Sequence, residues 1–393
     1  MAFMADPEQP NMPDLSNVFS EVPLFREIQR VLLAGTGPVN WELARQVGIA
    51  MASWGKDDPA PSPDDLRGFE ETVRAAELQV AEFTGLPSPA GVARIETTRR
   101  AQWVEANIEG LRPLVEPVAA KIADAFAKSQ AEGAPPEAQQ FAGELMGQIS
   151  PLLLGAQVGM VLGYLGQRVL GQYDVAVPRP GGDRVLFVIP NIAEFERDWS
   201  LSQVEFRAWV ALHEVTHRFE FARPWVWEHF RTLVHDYVST MEIDLGGLRE
   251  RLERMDVADP EGLSRLFESD EGLFGTILDD EQRLKLARIQ AFMSAAEGYG
   301  EHVTEGVGRR MLTSHSRIEE AVSRHREGET DEPFGRLLGI ELKREQYRSG
   351  KAFCDRVVEL TDEQTLSRMW DSPDALPSQP EIDEPRLWLA RMA

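Results

Sequence analysis

Apolar residues recur at three- and four-residue spacing through most of the first 170 residues. The spacing is clearest over residues 65–83 and 90–127, and it predicts amphipathic helices there. Proline and glycine interrupt the pattern in four places: 35–38, 57–63, 85–89 and 133–136. Continuing a helix through these residues would be costly, so they are predicted loops. The pattern predicts a helical N-terminal region over residues 16–170.

β-Structure is indicated in one place, between residues 172 and 192. Tyr173, Val175 and Val177 alternate with other residues, and the apolar run 185–189 follows a segment that contains proline and glycine. Alternation followed by a turn and a second apolar run is typical of a β-hairpin. Pro190 is expected to end the second strand.

The next helix is predicted over Gln203–Phe221, because Arg223-Pro224 disfavours its continuation. Ser202, with Glu205 three residues later, predicts a capping box at its start. Another helix is predicted over residues 281–312, after an acidic stretch at 255–280. The expected fold is therefore mainly α, a multi-helix fold with a small β-hairpin or sheet beside the helix that begins after Ser202.

Residues 151–170 form the most apolar stretch of the chain. Gln157, Gln167 and Arg168 interrupt it, whereas a membrane span needs about 20 nearly unbroken apolar residues. Small residues stand at every fourth position, at Gly155, Gly159 and Gly163, a spacing that lets a second helix approach closely. We therefore expect a buried packing helix. We also expect regions 16–170 and 171–393 to pack as one compact unit.

The composition narrows the classes of partner. The chain has 65 acidic and 41 basic residues, a formal net charge of -24, which repels phosphate backbones and anionic lipid surfaces. Nucleic acid and membranes are therefore not expected partners. Residues 1–15 lack the basic start and apolar stretch of a signal peptide and are predicted to be a flexible tail. Together with the single cysteine, Cys354, this favours a cytoplasmic location.

The sequence His213-Glu214-Val215-Thr216-His217 lies well inside the predicted helix 203–221. Its spacing places both imidazoles on one helix face, one turn apart, where they can hold a single Zn²⁺. Glu214 lies about 100° around the helix. From there it can take a proton from water and pass it to a leaving amine, as in a metallopeptidase. The alternative interpretation is a structural pair of histidines.

A zinc site needs a third protein ligand. The extended pattern with a further glycine and histidine is absent, because Glu220 and Arg223 occupy those positions. The remaining common solution is a glutamate from a second helix, and Glu297 is the best candidate. Glu301, one turn later, is predicted to accept the free ring N–H of a ligand histidine.

Other interpretations of this segment stay open. Glu297, Glu301 and Glu305 could instead form a solvated acidic stripe. His302 is the second choice as third ligand, although it points away from the face of Glu297. Tyr299 is a candidate to hydrogen-bond a tetrahedral oxyanion, as are two histidines that follow the motif, His229 and His235. The strand at 185–189 could pair with an extended peptide if its edge is exposed.

Short segments along most of the chain resemble the zincin-like metallopeptidase type 2 family, a group of bacterial hydrolases. The resemblance is carried by these segments: Gly37-Pro38-Val39-Asn40-Trp41, Leu170-Gly171-Gln172-Tyr173-Asp174, Val188-Ile189-Pro190-Asn191-Ile192, His213-Glu214-Val215-Thr216-His217, Glu297-Gly298-Tyr299 with Glu301-His302-Val303, and Trp388-Leu389. It implies a mainly helical fold with a zincin-like core. It also implies that His213, His217 and Glu297 are metal ligands and that Glu214 is the catalytic glutamate.

The leading hypothesis is a zinc-dependent hydrolase of peptide or amide bonds, a metallopeptidase of gluzincin type in which Glu214 activates water. The alternative is a non-catalytic protein whose zinc serves structure or partner binding. A closed site, with Glu301 or His302 in the position of the water, would favour that alternative. A helical scaffold without metal is the third interpretation. The sequence makes no prediction of the oligomeric state.

Overall fold

The computed structural model describes residues 37–131, 136–173, 178, 184–241, 280–329 and 340–393. In chain order, the elements are α1 Trp41–Ala52, α2 Pro63–Thr84, β1 Arg94–Thr98, α3 Arg100–Ala131, α4 Pro136–Gly166, β2 Arg184–Val188, α5 Ile189–Asp198, α6 Gln203–Phe221, α7 Pro224–Thr240, α8 Asp280–Met311, α9 His315–Glu329, α10 Ile340–Leu360, α11 Glu363–Ser367, α12 Gln379–Asp383 and α13 Pro385–Met392. Short 3₁₀ turns at Arg368–Trp370 and Pro373–Ala375 lie between α11 and α12. The predicted mainly α fold with a small sheet is confirmed.

Two predictions concern residues outside the part of the chain that the structure describes. The flexible tail at 1–15 and most of the acidic stretch at 255–280 lie outside the described residues. The helix predicted at 65–83 is confirmed as α2, and the helix predicted at 281–312 is confirmed as α8.

Strand β1 lies where a helix was predicted. The segment Arg94–Thr98 pairs in parallel with β2, Arg94 opposite Arg184 and Thr98 opposite Val188. The helix prediction over 90–127 is therefore wrong before Arg100, where α3 begins. Ile95, Thr97 and Thr98 are β-branched, a residue type that favours a strand once a partner is present. That partner is about 90 residues away and cannot be seen in a local pattern.

Strand β2 has neighbours on both sides. One side pairs with β1, and on the other the Val188 N–H donates to the Leu170 carbonyl at 2.8 Å, with an antiparallel bridge between Gly171 and Phe187. The edge left open by the sequence is therefore covered at Phe187 and Val188, so the condition for pairing with an extended peptide is not met there. The first strand of the predicted hairpin falls mainly on residues 174–177, outside the described residues.

Strand β2 also joins two apolar cores. Val185 and Phe187 pack into the larger core, formed mainly by α2, α6, α8 and the C-terminal elements. Leu186 and Val188 point to the opposite face and pack with α1, α3 and α4. This burial on both faces explains why the strand is a continuous apolar run.

Helix α4 packs on α1 through its glycine stripe. A Cβ atom at Gly159 would lie 2.6 Å from the Ala44 carbonyl oxygen, so the close approach requires glycine. The window Ile149–Gly166 has the length and composition of a membrane span, and 33% of it is buried. The predicted packing is present, but it involves one face, and Leu153 on the other side is exposed.

The contact between α8 and α10 brings two glycines together. A Cβ atom at Gly298 would lie 2.1 Å from the carbonyl carbon of Gly350. A Cβ atom at Gly350 would overlap the Ser294 carbonyl oxygen. This backbone contact holds the middle of α8 in place, next to Glu297.

Helix α6 has the predicted bounds but not the predicted cap. Ser202 makes no side-chain capping hydrogen bond. The Glu205 carboxylate instead accepts hydrogen bonds from the Thr313 and Ser314 N–H groups and from the Ser314 hydroxyl. The capping-box prediction is wrong because the turn between α8 and α9 offers Glu205 more donors than its own helix end.

Candidate metal centre

The two histidines of the motif lie on the buried face of α6. Their rings are perpendicular, with centroids 4.6 Å apart. Apolar neighbours such as Val210 and Phe219 bury the helix, which leaves His217 fully buried and His213 5% exposed. Aromatic rings flank both imidazoles: Trp209 stacks on His213 at 5.8 Å and Phe221 on His217 at 5.5 Å. The helix thus holds both rings in fixed positions.

Glu297 on α8 meets these rings. One ligand atom each from His213, His217 and Glu297 lies within 4.8 Å of the other two, and all three residues are buried. Two imidazole nitrogens and one carboxylate oxygen are a donor set that zinc prefers. The residues therefore fit one divalent cation, and the structure brings together the three ligands that the sequence analysis selected.

A glycine on α8 makes room for one of the rings. A Cβ atom at Gly300 would lie 2.7 Å from Cε1 of His217. Glycine inside a helix costs about 1 kcal/mol relative to alanine. The cost is explained here because any side chain would displace the imidazole from its place beside Glu297.

Glu220 orients His217 from the other side. Its Oε2 lies 2.9 Å from Nδ1 of His217, and both side chains are fully buried. Burial, together with repulsion from Glu297, raises the pKa of Glu220 well above its ordinary value. A carboxylate on one ring nitrogen sets the tautomer and directs the other nitrogen towards a metal.

The prediction that Glu301 takes this role is wrong for His217. Glu301 pairs with Arg326 of α9, Oε1 to Nη1 at 3.0 Å. The role of Glu220 was missed from the sequence, where this residue counted only as the one that breaks the longer histidine pattern. A usable signal was present, since Glu220 follows His217 by three residues on the same helix face, between two phenylalanines.

The backbone of residues 171–173 holds Glu214. The Tyr173 N–H donates to Oε2 of Glu214 at 2.9 Å, and the side chain is 1% exposed. Gly171 lies against the same carboxylate, because a Cβ atom there would be 2.3 Å from its Oε1. The Glu214 side chain is therefore buried and held in place by residues 171–173 rather than mobile at a surface.

Tyr299 does not serve as predicted. Its hydroxyl lies 3.0 Å from the Ser367 hydroxyl, and burial raises the pKa of the phenol. His229 is half-buried on α7, where burial lowers its pKa, and His235 is exposed beside Asp236. None of the three belongs to the group of ligand atoms around Glu297.

His302 is committed to a different cluster, so its prediction as an alternative metal ligand is wrong. Its Nδ1 lies 2.7 Å from Asp355, and its Nε2 lies 3.1 Å from Glu363. Burial alone would lower the pKa of His302. The hydrogen bonds to Asp355 and Glu363 outweigh it and raise the pKa to about 9.

The raised pKa of His302 predicts a pH-dependent stability. The charged imidazole stabilises the folded state fully below pH 6.5, and this contribution disappears as the pH rises through about 9. We expect a loss of about 3 kcal/mol in the free energy of unfolding over that range. Urea unfolding of wild type and His302→Gln at several pH values measures it, since the difference removes other titrations. Parallel curves for the two proteins would contradict the prediction.

A cavity of about 630 Å³ opens beside His213, between α6, α8, α9 and α10. Two ion pairs frame it, both involving carboxylates on one face of α8. Glu301 binds Arg326 of α9, and Glu305 binds Lys351 of α10 with Oε2 to Nζ at 2.8 Å. Of the three candidate ligands, His213 lines this cavity.

The chain is similar to known proteins both in sequence and in structure. A sequence model of the family described as zincin-like metallopeptidase matches residues 39–389. Among solved structures, the chain is similar to one from Chloroflexus aurantiacus described as "a putative hydrolase with a novel fold". The two share 33% identity and a TM-score of 0.64, over 90% of this chain and 98% of that one. A search of curated proteins gives no match.

Proposed function

Because this chain belongs to the zincin-like metallopeptidase family, we propose that it is a zinc-dependent hydrolase that cleaves peptide or amide bonds, with the gluzincin ligand set. The observation that carries the proposal is the convergence of His213, His217 and Glu297 within 4.8 Å, with Glu214 following His213 on the same helix. The solved relative described as a hydrolase supports the general class of reaction.

In this proposal, different residues bind the metal and transfer the proton. His213, His217 and Glu297 hold the cation, which when bound polarises a carbonyl group and makes water more acidic. Glu214 takes the proton of the attacking water and delivers it to the leaving amine. The Tyr173 N–H keeps the Glu214 carboxylate in a single orientation for both transfers.

Glu301 and His302 both have other partners, which favours an enzyme over a closed structural site. Glu301 is bound to Arg326, and His302 lies between Asp355 and Glu363. Within the described part of the chain, the candidate metal group therefore consists of three ligands. A catalytic zinc site has three protein ligands and keeps the fourth position for water or substrate.

Metal analysis tests the proposal. Purified protein is expected to contain about one zinc per chain, because the three ligands form a single site. Removal with a chelator should abolish hydrolysis of a fluorogenic peptide mixture and lower the thermal midpoint, and added Zn²⁺ should restore both. Mg²⁺ is the control and should restore neither, because it prefers oxygen ligands. Full hydrolysis by metal-free protein would refute the zinc-dependent mechanism.

A further inference from the structure

An irregular segment after α4, residues 170–173, lies against the carboxylate of Glu214. The Tyr173 N–H donates to its Oε2 at 2.9 Å, and Gly171 lies against its Oε1. A segment outside helices and strands has no regular hydrogen-bond ladder of its own, so its shape depends on the groups that bind its backbone. The groups that anchor residues 170–173 therefore decide where the Glu214 carboxylate lies.

The anchor at Gly171 is a tryptophan of α3. Trp103 is fully buried, and its Nε1–H donates to the Gly171 carbonyl at 2.9 Å. The neighbouring carbonyl, that of Leu170, accepts from the Val188 N–H at 2.8 Å. Trp103 and Val188 belong to the smaller apolar core around α1, α3 and α4. The smaller core thus controls a segment that touches Glu214 on α6, a helix of the larger core.

A buried asparagine anchors the chain just before this segment. Asn191 of α5 is 5% exposed, and its Nδ2 donates to the Val169 carbonyl at 2.7 Å and to the Gly166 carbonyl at 3.0 Å. Its Oδ1 accepts from Nε of Arg100, a buried residue at the start of α3. The carbonyl groups of residues 166, 169, 170 and 171 are therefore all hydrogen-bonded, which leaves the segment little freedom to shift.

We infer that Trp103 is a positioning residue for the proposed proton carrier: its indole N–H holds the Gly171 carbonyl, so that the Tyr173 N–H fixes the Glu214 carboxylate. The inference rests on the proposed function of Glu214 and adds to it a residue outside the candidate metal group. Proton transfer is sensitive to such a support, because a displacement of about 1 Å caused far from the reacting atoms can cost about 100-fold in rate.

Trp103→Phe tests the inference in the zinc-loaded full chain. The variant keeps a buried aromatic ring and removes the N–H group. With one fluorogenic peptide that wild type cleaves, we expect kcat to fall by about 10- to 100-fold, KM to stay within about twofold and the zinc content to be unchanged. This split follows because a displaced proton carrier affects the chemical step and leaves substrate and metal binding intact.

Trp388→Phe is the matched control. Trp388 is also fully buried, and its Nε1–H also donates to a backbone carbonyl, that of Ala375 at 2.8 Å. Each substitution leaves a small void and a buried carbonyl without its donor, so both should lower the thermal midpoint. Only Trp103→Phe should lower kcat. A purely structural role of Trp103 would lower both midpoints and leave both kcat values near that of wild type.

Two further changes separate the hydrogen bond from the volume of the side chain. Benzothienylalanine at position 103 has the shape of tryptophan with sulfur in place of the N–H, so it should lower kcat like Trp103→Phe and keep the fold even if the phenylalanine variant does not. Gly171→Ala keeps the carbonyl for Trp103, but its methyl group would overlap the Glu214 carboxylate. It should lower kcat by at least about tenfold with zinc retained.

The Tyr173 amide signal reports the position of Glu214 without turnover. The chain has five tyrosines, so ¹⁵N-tyrosine labelling gives few backbone signals, and Tyr173→Phe identifies the one from residue 173. Glu214→Ala removes the acceptor and gives the position of this signal without the hydrogen bond. In Trp103→Phe the signal should move towards that position, and in Trp388→Phe it should stay at its wild-type position.

Equal kcat values in Trp103→Phe and Trp388→Phe would overturn the inference, as would loss of zinc in Trp103→Phe or an unmoved Tyr173 signal. The outcome is separable from that of the proposed function. Wild type without Glu214-dependent hydrolysis would reject the function, and the Tyr173 signal would still show whether Trp103 sets the position of Glu214. Glu214-dependent hydrolysis that the two tryptophan variants reduce equally would keep the function and reject the positioning role.

Discussion

Glu214→Gln is expected to lower kcat by about 10²- to 10⁴-fold while the protein keeps its zinc. The amide has the shape of the carboxylate and can still accept the hydrogen bond from the Tyr173 N–H, so its position should be retained. It cannot take a proton from water or deliver one to the leaving group. Steady-state hydrolysis of a fluorogenic peptide mixture, with zinc measured on the same sample, gives both quantities.

The control is the same substitution at Glu228, an exposed residue of α7 that pairs with Arg231. Glu228→Gln should keep wild-type kcat and zinc content. If Glu214→Gln retained kcat within a factor of two of wild type, Glu214 would not be the proton carrier. A loss of zinc together with activity would instead assign Glu214 to metal binding.

Glu297→Ala is expected to weaken zinc binding by more than about 100-fold. Removing a residue that only hydrogen-bonds to a metal ligand costs about 10- to 100-fold, and Glu297 is a proposed ligand itself. The variant removes one of three donors and the only negative charge among them. The metal-dependent stabilisation of the fold should fall accordingly, by about 1.4 kcal/mol for each tenfold loss of affinity at saturating zinc. Competition with a chromophoric chelator measures the affinity.

Glu301→Ala is the matched control because it removes the same side chain one turn further along α8. It breaks the pair with Arg326 and should leave zinc affinity unchanged. The opposite order, with Glu301→Ala losing zinc and Glu297→Ala keeping it, would move the third ligand to Glu301.

The parts of this site that local spacing controls were predictable from sequence. The bounds of α6 follow from apolar periodicity and from Arg223-Pro224 at its end. His213 and His217 share a face because they are four residues apart. Glu297 was selected because a second helix had to supply the missing donor, and the structure brings it to the two rings.

The parts that depend on packing between distant segments were not predictable in this way. Glu205 and Glu301 do not bind the partners expected from the sequence. They bind groups on or beside α9, about 110 and 25 residues away. The β-branched residues of β1 favour a strand only because β2 is present to pair with them. In each case the observed contact is between residues that only the folded chain brings together.

The two buried acids, Glu220 and Glu297, link the zinc supply of a cell to the amount of folded protein. Burial and repulsion from Glu297 raise the pKa of Glu220, and a divalent ion held by Glu297 would weaken that repulsion. Loading and folding then favour each other. Under metal starvation, the chain would lose abundance through degradation as well as activity, because proteases act on the unfolded fraction.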